Sequence, residues 1–102
     1  MKDEHLYSGL IRLHILQQAA RNPVFGMGII EELGGRGFRL SAGTLYPLLH
    51  GLEREGYLRS TRHRAGSRYR RLYRVTPQGR RAVSLARVRL RELFGDLVKA
   101  PL

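Results

Sequence analysis

The sequence predicts one mainly α domain of the α+β class, with the element order α-α-α-β-β-α. Two observations support this prediction. Apolar residues recur every three to four positions through residues 1–55, as in helices, and polar and apolar residues alternate after Gly56, as in strands. The dipeptide Thr76-Pro77 then begins a last segment with helical periodicity. Since 102 residues suffice for a single core, we expect one folded unit.

The first two helices are predicted on either side of Asn22-Pro23. A wide apolar stripe covers residues 6–20 and ends at this dipeptide, because proline lacks the backbone N–H that would continue the helix. A second, shorter helix is predicted over residues 25–33. It ends in the glycine-rich run of residues 34–37, which is typical of a helix C-terminus.

The third helix is predicted to begin at Ser41, whose hydroxyl can accept a hydrogen bond from a backbone N–H of the first turn, and to end before Gly56. Pro47 lies inside this pattern and removes one backbone hydrogen bond. Either the helix bends there or its regular part begins later, near Thr44. The leucines of this segment are expected to face the core: Leu45, Leu48, Leu49 and Leu52.

A two-stranded hairpin is predicted after the third helix. Residues 57–64 and 68–75 alternate in polarity, and residues 65–67 form the turn between them. Tyr73 and Val75 lie on the same face because side chains alternate along a strand. We therefore expect both of them in the core.

The fourth helix has a clear start, with Thr76 as the cap and Pro77 at the first helical position, where its missing N–H costs nothing. Apolar residues spaced by three and four cover two heptads of it, which is typical of a dimer seam. The seam residues, with Phe94 beside them, are Val83, Ala86, Leu90, Leu93 and Leu97. The alternative is that this face packs on its own domain. Two heptads are too short to distinguish a dimer seam from such packing.

The net charge of +11 is carried entirely by the second half of the chain. Residues 1–55 hold six basic and six acidic side chains, whereas residues 56–102 hold thirteen basic and two acidic ones. A solvated surface usually interleaves both signs. The acid-free run of twelve arginines between Gly56 and Arg91 therefore favours a polyanion as the partner.

Several classes of function are excluded or disfavoured. The chain has no cysteine, which excludes disulfides, iron-sulfur clusters and thiolate metal sites. Its four histidines are scattered along the chain, so we expect no enzyme activity, no metal and no cofactor. Gly26-Met27-Gly28 begins like a dinucleotide-binding loop, but Glu31 stands where the third glycine belongs. The apolar runs are too short for a signal peptide or a membrane span, so we expect a cytoplasmic protein.

A helix-turn-helix followed by an arginine-rich hairpin indicates double-stranded DNA as the partner. The N-terminal end of a helix can offer hydroxyls to base edges and backbone amides to phosphates in the major groove. The candidate contacts on the third helix are Ser41, Gly43, Thr44, Tyr46 and His50. Tyr46 is the preferred base or phosphate contact, because it lies about 100° from the inward Leu45. The alternative is that Tyr46 packs against the second helix.

The hairpin supplies the phosphate contacts, since residues 59–74 hold seven arginines. Such contacts set affinity and register more than sequence choice. The preferred contacts flank or follow the turn: Arg64, Ser67, Arg68 and Arg70. Other arginines are expected to cover tyrosine faces or to pair with Glu53 and Glu55.

Three segments resemble the PadR family of bacterial transcriptional regulators, namely residues 10–16, 41–58 and 68–79. The middle segment is the most distinctive, with Gly-Thr-Leu-Tyr-Pro followed by Leu-Glu-Arg-Glu-Gly. The resemblance implies a winged helix-turn-helix DNA-binding domain in residues 1–76. It also implies a C-terminal dimerisation helix in residues 77–102, packed on the same domain.

The resemblance further implies a homodimer whose two recognition helices read an inverted repeat, with repression relieved by a small-molecule effector of unknown identity. The implied dimer contacts combine the seam with the first helix: Leu6, Leu10, Val83, Ala86, Leu90, Leu93, Phe94 and Leu97. Gly51 departs from the family, which commonly has a larger residue there, and weakens the helix by up to about 1 kcal/mol.

Two other hypotheses remain open. The alternative to a sequence-specific repressor is a winged helix that binds nucleic acid without sequence preference. The positive charge of the hairpin would suffice for such binding. A module lying on anionic lipid is disfavoured, because the arginines of the fourth helix surround its apolar seam instead of forming one polar face.

Overall fold

The computed structural model describes residues 4–99 and contains the predicted elements in the predicted order. They are α1 (Glu4–Arg21), α2 (Gly26–Gly35), α3 (Ala42–Arg54), β1 (Leu58–Ala65), β2 (Arg68–Val75) and α4 (Pro77–Lys99). The fold class is therefore confirmed. The two predicted domains, 1–76 and 77–102, include residues 1–3 and 100–102, which lie outside the described residues.

The core lies between the first three helices and the base of the hairpin. Its largest fully buried side chains come from α1, α3 and the two strands: Ile15, Leu45, Leu49, Leu58 and Tyr73. Ile29 and Leu33 add the buried face of α2. Each buried aliphatic side chain contributes about 1.5–3 kcal/mol, so the helical spacing of these residues determines which face of each helix turns inward.

Helix α3 begins at Ala42, which is earlier than the alternative start near Thr44. The Ser41 hydroxyl accepts a hydrogen bond from the Thr44 backbone N–H at 3.2 Å, and the helix is regular from Ala42 through Pro47. The proline is tolerated because it is exposed. The carbonyl that it leaves without a helical donor belongs to the exposed Gly43, where solvent can bond to it.

The hairpin β1–β2, called the wing from here on, is antiparallel with Leu58 opposite Val75 and Ala65 opposite Arg68. The two-residue turn between the strands begins at Gly66, whose φ of +67° is readily adopted only by glycine. Tyr73 is buried and Val75 is half-buried, as the alternation predicts.

A short bridge that the sequence did not reveal attaches the wing to the helices. Val24, between α1 and α2, donates its backbone N–H to the Tyr73 carbonyl at 3.0 Å and accepts the Tyr73 N–H at 2.7 Å. The base of β2 is therefore held to the start of α2 by a pair of backbone hydrogen bonds. This bridge fixes how the wing stands relative to the helix-turn-helix.

Helix α4 begins as predicted. The Thr76 hydroxyl accepts a hydrogen bond from the Gly79 N–H at 3.0 Å and donates one to the Gly56 carbonyl at 2.6 Å. The first half of α4 packs on α1, whereas beyond Arg91 its apolar side chains are largely exposed. None of the four helices between residues 4 and 99 has the length and apolar content that a bilayer-spanning helix requires.

Candidate nucleic-acid interface

The first turn of α3 is open to solvent. Ser41 and Gly43 are exposed, and Thr44 is half-buried beside them. The hydroxyl groups of Ser41 and Thr44 lie 3.3 Å apart, and the first turn carries no acidic residue. Since Leu45 is fully buried on the opposite side, the hydroxyls and the first-turn amides point away from the core. This end of α3 can therefore approach an anionic groove.

Tyr46 is half-buried, and the two alternatives drawn from the sequence each describe part of its position. The hydroxyl end of its ring lies against Gly26, at the start of α2, where a side chain on Gly26 would overlap it. The ring is only half-buried in the recess that Gly26 provides, so a contact between Tyr46 and DNA stays a prediction. His50 is exposed one turn later, with its ring centroid 6.4 Å from that of Tyr46, on the same side of α3.

The tip of the wing consists of exposed side chains. Every residue from 61 to 71 is exposed, so the predicted contacts near the turn all face solvent: Arg64, Ser67, Arg68 and Arg70. Arg64 also donates from Nε to the Gly66 carbonyl at 3.0 Å, which braces the turn. The wing thus presents a basic surface beside α3.

Two wing arginines lie on aromatic rings. The guanidinium carbon of Arg62 is 4.4 Å from the centroid of the Tyr69 ring, and that of Arg70 is 4.0 Å from the centroid of Phe25. The expectation that some arginines cover tyrosine faces is thereby confirmed for Arg62. The contact between Arg70 and Phe25 links the wing to α2 and is worth about 0.5–1 kcal/mol at an exposed site.

The end of α3 is tied to the wing through Glu53. Its carboxylate accepts hydrogen bonds from the Ser60 backbone N–H at 2.8 Å and from the Ser60 hydroxyl, which in turn accepts from Arg71 at 3.1 Å. Partial burial raises the pKa of Glu53, but the Ser60 hydrogen bonds and the nearby Arg71 charge outweigh it. The pKa therefore lies below its ordinary value of 4.5. The sequence predicted an arginine as the partner of Glu53, whereas the structure gives it Ser60.

The predicted seam of α4 is divided between two environments. Val83, Ala86 and Leu90 are half-buried and line a cavity of about 390 Å³ against α1. Leu93 and Leu97 are 74% and 67% exposed. Among the remaining predicted dimer residues, the exposed Leu10 and the half-buried Phe94 line one groove with Leu97, and Leu6 is exposed one turn before Leu10. The first half of α4 therefore packs on its own domain, whereas the apolar side chains of the second half border an open groove beside α1 and are mostly exposed.

Sequence reasoning missed the residues that hold α3, the start of α2 and the wing together. Ser60 carried no motif, although it lies only seven residues after its partner Glu53. Val24 and Phe25 carried none because their roles depend on contacts with strand β2, far along the chain. The pairing of His14 with Glu32 at 2.7 Å, which joins α1 to α2, was missed for the same reason. Among residues 4–99 no group of histidines and carboxylates is placed to hold a metal ion.

Comparisons with known proteins agree with this geometry. A family model described as the transcriptional regulator PadR-like family matches residues 13–85. Over 88 residues the chain is 49% identical to the transcriptional regulator Rv3488 of Mycobacterium tuberculosis, covering 86% of this chain and 82% of that protein.

Solved structures have the same fold. The crystal structure of a PadR family transcriptional regulator from Eggerthella lenta is 31% identical, has a TM-score of 0.79, and covers 95% of this chain and 88% of that chain. The structure of a PadR-like transcription factor from Bacteroides fragilis is 21% identical, has a TM-score of 0.81, and covers 97% of both chains. The order of helices and strands, with a hairpin wing after the third helix, is thus shared with known regulators.

Proposed function

Because the chain belongs to the PadR-like family of transcriptional regulators, we propose that it is a homodimeric repressor that binds an inverted-repeat DNA operator and is released by an effector. The observation that carries this proposal is the solvent-open first turn of α3 beside an acid-free basic wing. A helix end of this kind fits the major groove, and a projecting hairpin fits the groove next to it.

In this proposal α3 and the wing make different kinds of contact with DNA. Ser41, Thr44 and Tyr46 contact base edges or nearby phosphates from α3, and His50 contacts phosphate one turn later. Arg64, Ser67 and Arg68 contact the backbone from the wing and contribute affinity that falls with salt. The division is supported by charge, since the arginines are concentrated on the wing while the first turn of α3 carries hydroxyls and glycine.

The homodimer is proposed from the exposed apolar end of α4. An apolar groove of about 570 Å³ runs between α1 and this end, and Leu6, Leu97 and Val98 are 73%, 67% and 81% exposed. A contiguous apolar surface of this kind usually marks an interaction site. A second copy offers the same surface around a twofold axis, and it would place two α3 helices for two half-sites. Residues 77–102 would then form the dimerisation element and residues 1–76 the DNA-binding one.

Effector release is proposed from the cavity between α1 and α4. Its volume of about 390 Å³ lies in the range of small-molecule sites, and its walls combine leucines with His14, Gln17 and Arg87. The cavity adjoins the proposed dimer surface, since Leu10 and Leu90 line both grooves. A ligand there would change the angle between the two DNA-binding units and thereby weaken binding to an operator of fixed spacing.

The second candidate is a winged helix that binds nucleic acid without sequence preference, and the seven exposed wing arginines favour it. Selection of bound duplexes from a random DNA pool at near-physiological salt separates the two candidates. Enrichment of an inverted repeat is the result expected of a dimeric, sequence-specific regulator. A pool that stays featureless after selection would contradict the repressor proposal and leave charge-driven binding.

A further inference from the structure

The hydroxyl of Tyr73 is buried without a hydrogen-bond partner. The side chain is fully buried, and its hydroxyl is the one buried side-chain polar atom among residues 4–99 that makes no hydrogen bond. The backbone of the same residue is fixed, because its N–H and its carbonyl are both bonded to Val24. Buried polar groups in native proteins usually have partners, so a hydroxyl that lacks one in a fixed position requires an explanation.

The surroundings of this hydroxyl include one acceptor that carries a negative charge. Burial raises the pKa of Tyr73 most, the Glu53 carboxylate raises it further, the Arg71 guanidinium lowers it, and Tyr46 raises it. The hydroxyl therefore keeps its proton and can act as a donor. Among these three neighbours only Glu53 is an anion, and it lies half-buried in the last turn of α3. Its carboxylate is the acceptor that the hydroxyl would need.

Glu53 is engaged with strand β1 instead. Its Oε2 accepts the Ser60 backbone N–H at 2.8 Å, and the Ser60 hydroxyl lies 2.9 Å from Oε1 and 2.8 Å from Oε2. The Ser60 hydroxyl in turn accepts a hydrogen bond from Arg71 at 3.1 Å. An ionised carboxylate offers about four lone-pair sites. Glu53 can therefore accept a further hydrogen bond if its side chain turns toward β2.

Arg71 is the member of this network that can leave it for DNA. It is exposed, and it lines a recess of about 460 Å³ together with Tyr46 and His50 of α3, so it lies beside the proposed DNA contacts. A guanidinium bonds more strongly to a phosphate than to a neutral hydroxyl, so DNA should draw Arg71 away from Ser60. Glu53 then loses a nearby positive charge, and a half-buried carboxylate in that position needs another donor.

We propose that Tyr73 is a positioning residue for DNA binding, whose hydroxyl donates to the Glu53 carboxylate when Arg71 leaves Ser60 for a DNA phosphate. The new hydrogen bond holds the last turn of α3 against the base of the wing in the arrangement that binds DNA. Tyr73 itself does not contact DNA, because its side chain is fully buried and it acts through Glu53. The inference rests on the proposed DNA-binding function.

The first test is Tyr73→Phe, which removes the hydroxyl and keeps the ring in the core. The melting temperature of the free protein should stay unchanged or rise, because the hydroxyl has no partner there. Affinity for a duplex of fixed sequence should nevertheless fall about tenfold, as expected for the loss of one hydrogen bond to a charged group. The matched control is Tyr57→Phe, at a half-buried tyrosine that packs against the same core, and it should leave the affinity unchanged.

The stability and the affinity of Tyr73→Phe can each overturn the inference. A lower melting temperature of the free variant would mean that the hydroxyl is already bonded before DNA arrives. An unchanged affinity would mean that it gains no partner on DNA. Either result would leave the proposed function intact, because the wild-type protein still binds the duplex. A wild-type protein that binds no duplex would overturn the proposed function and this inference together.

A double-mutant cycle separates positioning from a purely structural role. In an Arg71→Gln background no arginine can move from Ser60 to a phosphate, so Tyr73→Phe should cost less than about twofold in affinity. The control background is Arg68→Gln, at an exposed wing arginine that makes no hydrogen bond, ion pair or ring contact with residues 4–99. Tyr73→Phe should keep its full cost there. Equal losses in the two backgrounds would overturn the coupling between Arg71 and Tyr73.

Discussion

The Glu53 carboxylate, in the last turn of α3, accepts the Ser60 backbone N–H at 2.8 Å in the first part of β1. This hydrogen bond joins the proposed recognition helix to the wing across seven residues of chain. A carboxylate that bonds to both the N–H and the hydroxyl of one residue fixes distance and direction at once. The angle between the two proposed DNA contacts therefore depends on this acidic side chain as well as on the Val24–Tyr73 bridge.

We expect Glu53→Ala to lower the free energy of unfolding by about 1–2 kcal/mol. Hydrogen bonds to charged groups are worth about 1.5–3 kcal/mol, and partial exposure of Glu53 reduces this contribution. Urea denaturation measures the change. The matched control is Glu55→Ala, an exposed residue two positions later, which should change stability by less than about 0.5 kcal/mol. Equal losses would mean that the Ser60 hydrogen bonds contribute nothing.

Acid should weaken the fold through two carboxylates. The pKa of Glu53 is lowered for the reasons given above. Partial burial raises the pKa of Glu32, but its bonds to Arg36 and His14 outweigh this and lower it below 4.5. A lowered folded-state pKa gives stability that is present above the unfolded value and is lost as the pH falls through the folded value. We expect the free energy of unfolding to decrease as the pH is lowered below about 4.5. The decrease should be less steep in the double variant Glu32→Ala/Glu53→Ala.

Gly79→Ala should destabilise the protein by about 1–3 kcal/mol, as overpacking typically does. A Cβ at this position would overlap the Tyr57 carbonyl oxygen and lie 2.6 Å from Val75 Cγ2, and a backbone atom cannot move aside cheaply. The control is Gly51→Ala on α3, where the Cβ would meet only Arg54 at 3.7 Å. Alanine is the better helix former there, so this variant should gain about 0.5–1 kcal/mol. Thermal unfolding of the two variants should shift in opposite directions.

Leu97→Asp should dissociate the proposed homodimer and thereby weaken binding to an inverted repeat. Leu97 is 67% exposed in the single chain, so the monomer fold should tolerate the change, whereas the half-buried Leu90 also packs on α1. The matched control is Val88→Asp, 48% exposed and nine residues away on the opposite face of α4. Sedimentation velocity measures the mass of each variant. A Leu97→Asp protein that still sediments as a dimer would place the interface elsewhere.

Tyr46→Ala and Arg68→Ala should affect DNA binding in different ways. Loss of the α3 side chain should reduce discrimination between a selected site and random duplex, because base contacts carry sequence information. Loss of the wing arginine should weaken binding to both duplexes alike and reduce the salt slope by about 0.9 per subunit. Arg89→Ala, on α4, is the control for loss of one charge. Equal losses on both duplexes for Tyr46→Ala would contradict the proposed division of work.

The sequence by itself determined the order of the elements, the inward leucines of α3 and the Thr76 cap of α4. These features depend on residues within one or two turns of each other, where periodicity and local hydrogen bonding decide. It also determined where the positive charge lies, because charge is a property of composition. The candidate contacts at the wing tip could be named from the same charge pattern, and those on α3 from their place at the start of the helix. The binding role of each stays a prediction.

Only the tertiary structure decided how these parts stand relative to one another. The Val24–Tyr73 bridge, the Glu53–Ser60 hydrogen bonds and the Arg70–Phe25 contact join residues that are distant or unremarkable in the sequence. Tyr46 is half-buried because Gly26, twenty positions earlier, leaves a recess for its ring. The physical reason is that packing and hydrogen bonding between elements depend on distances in space, which a pattern along one segment does not contain.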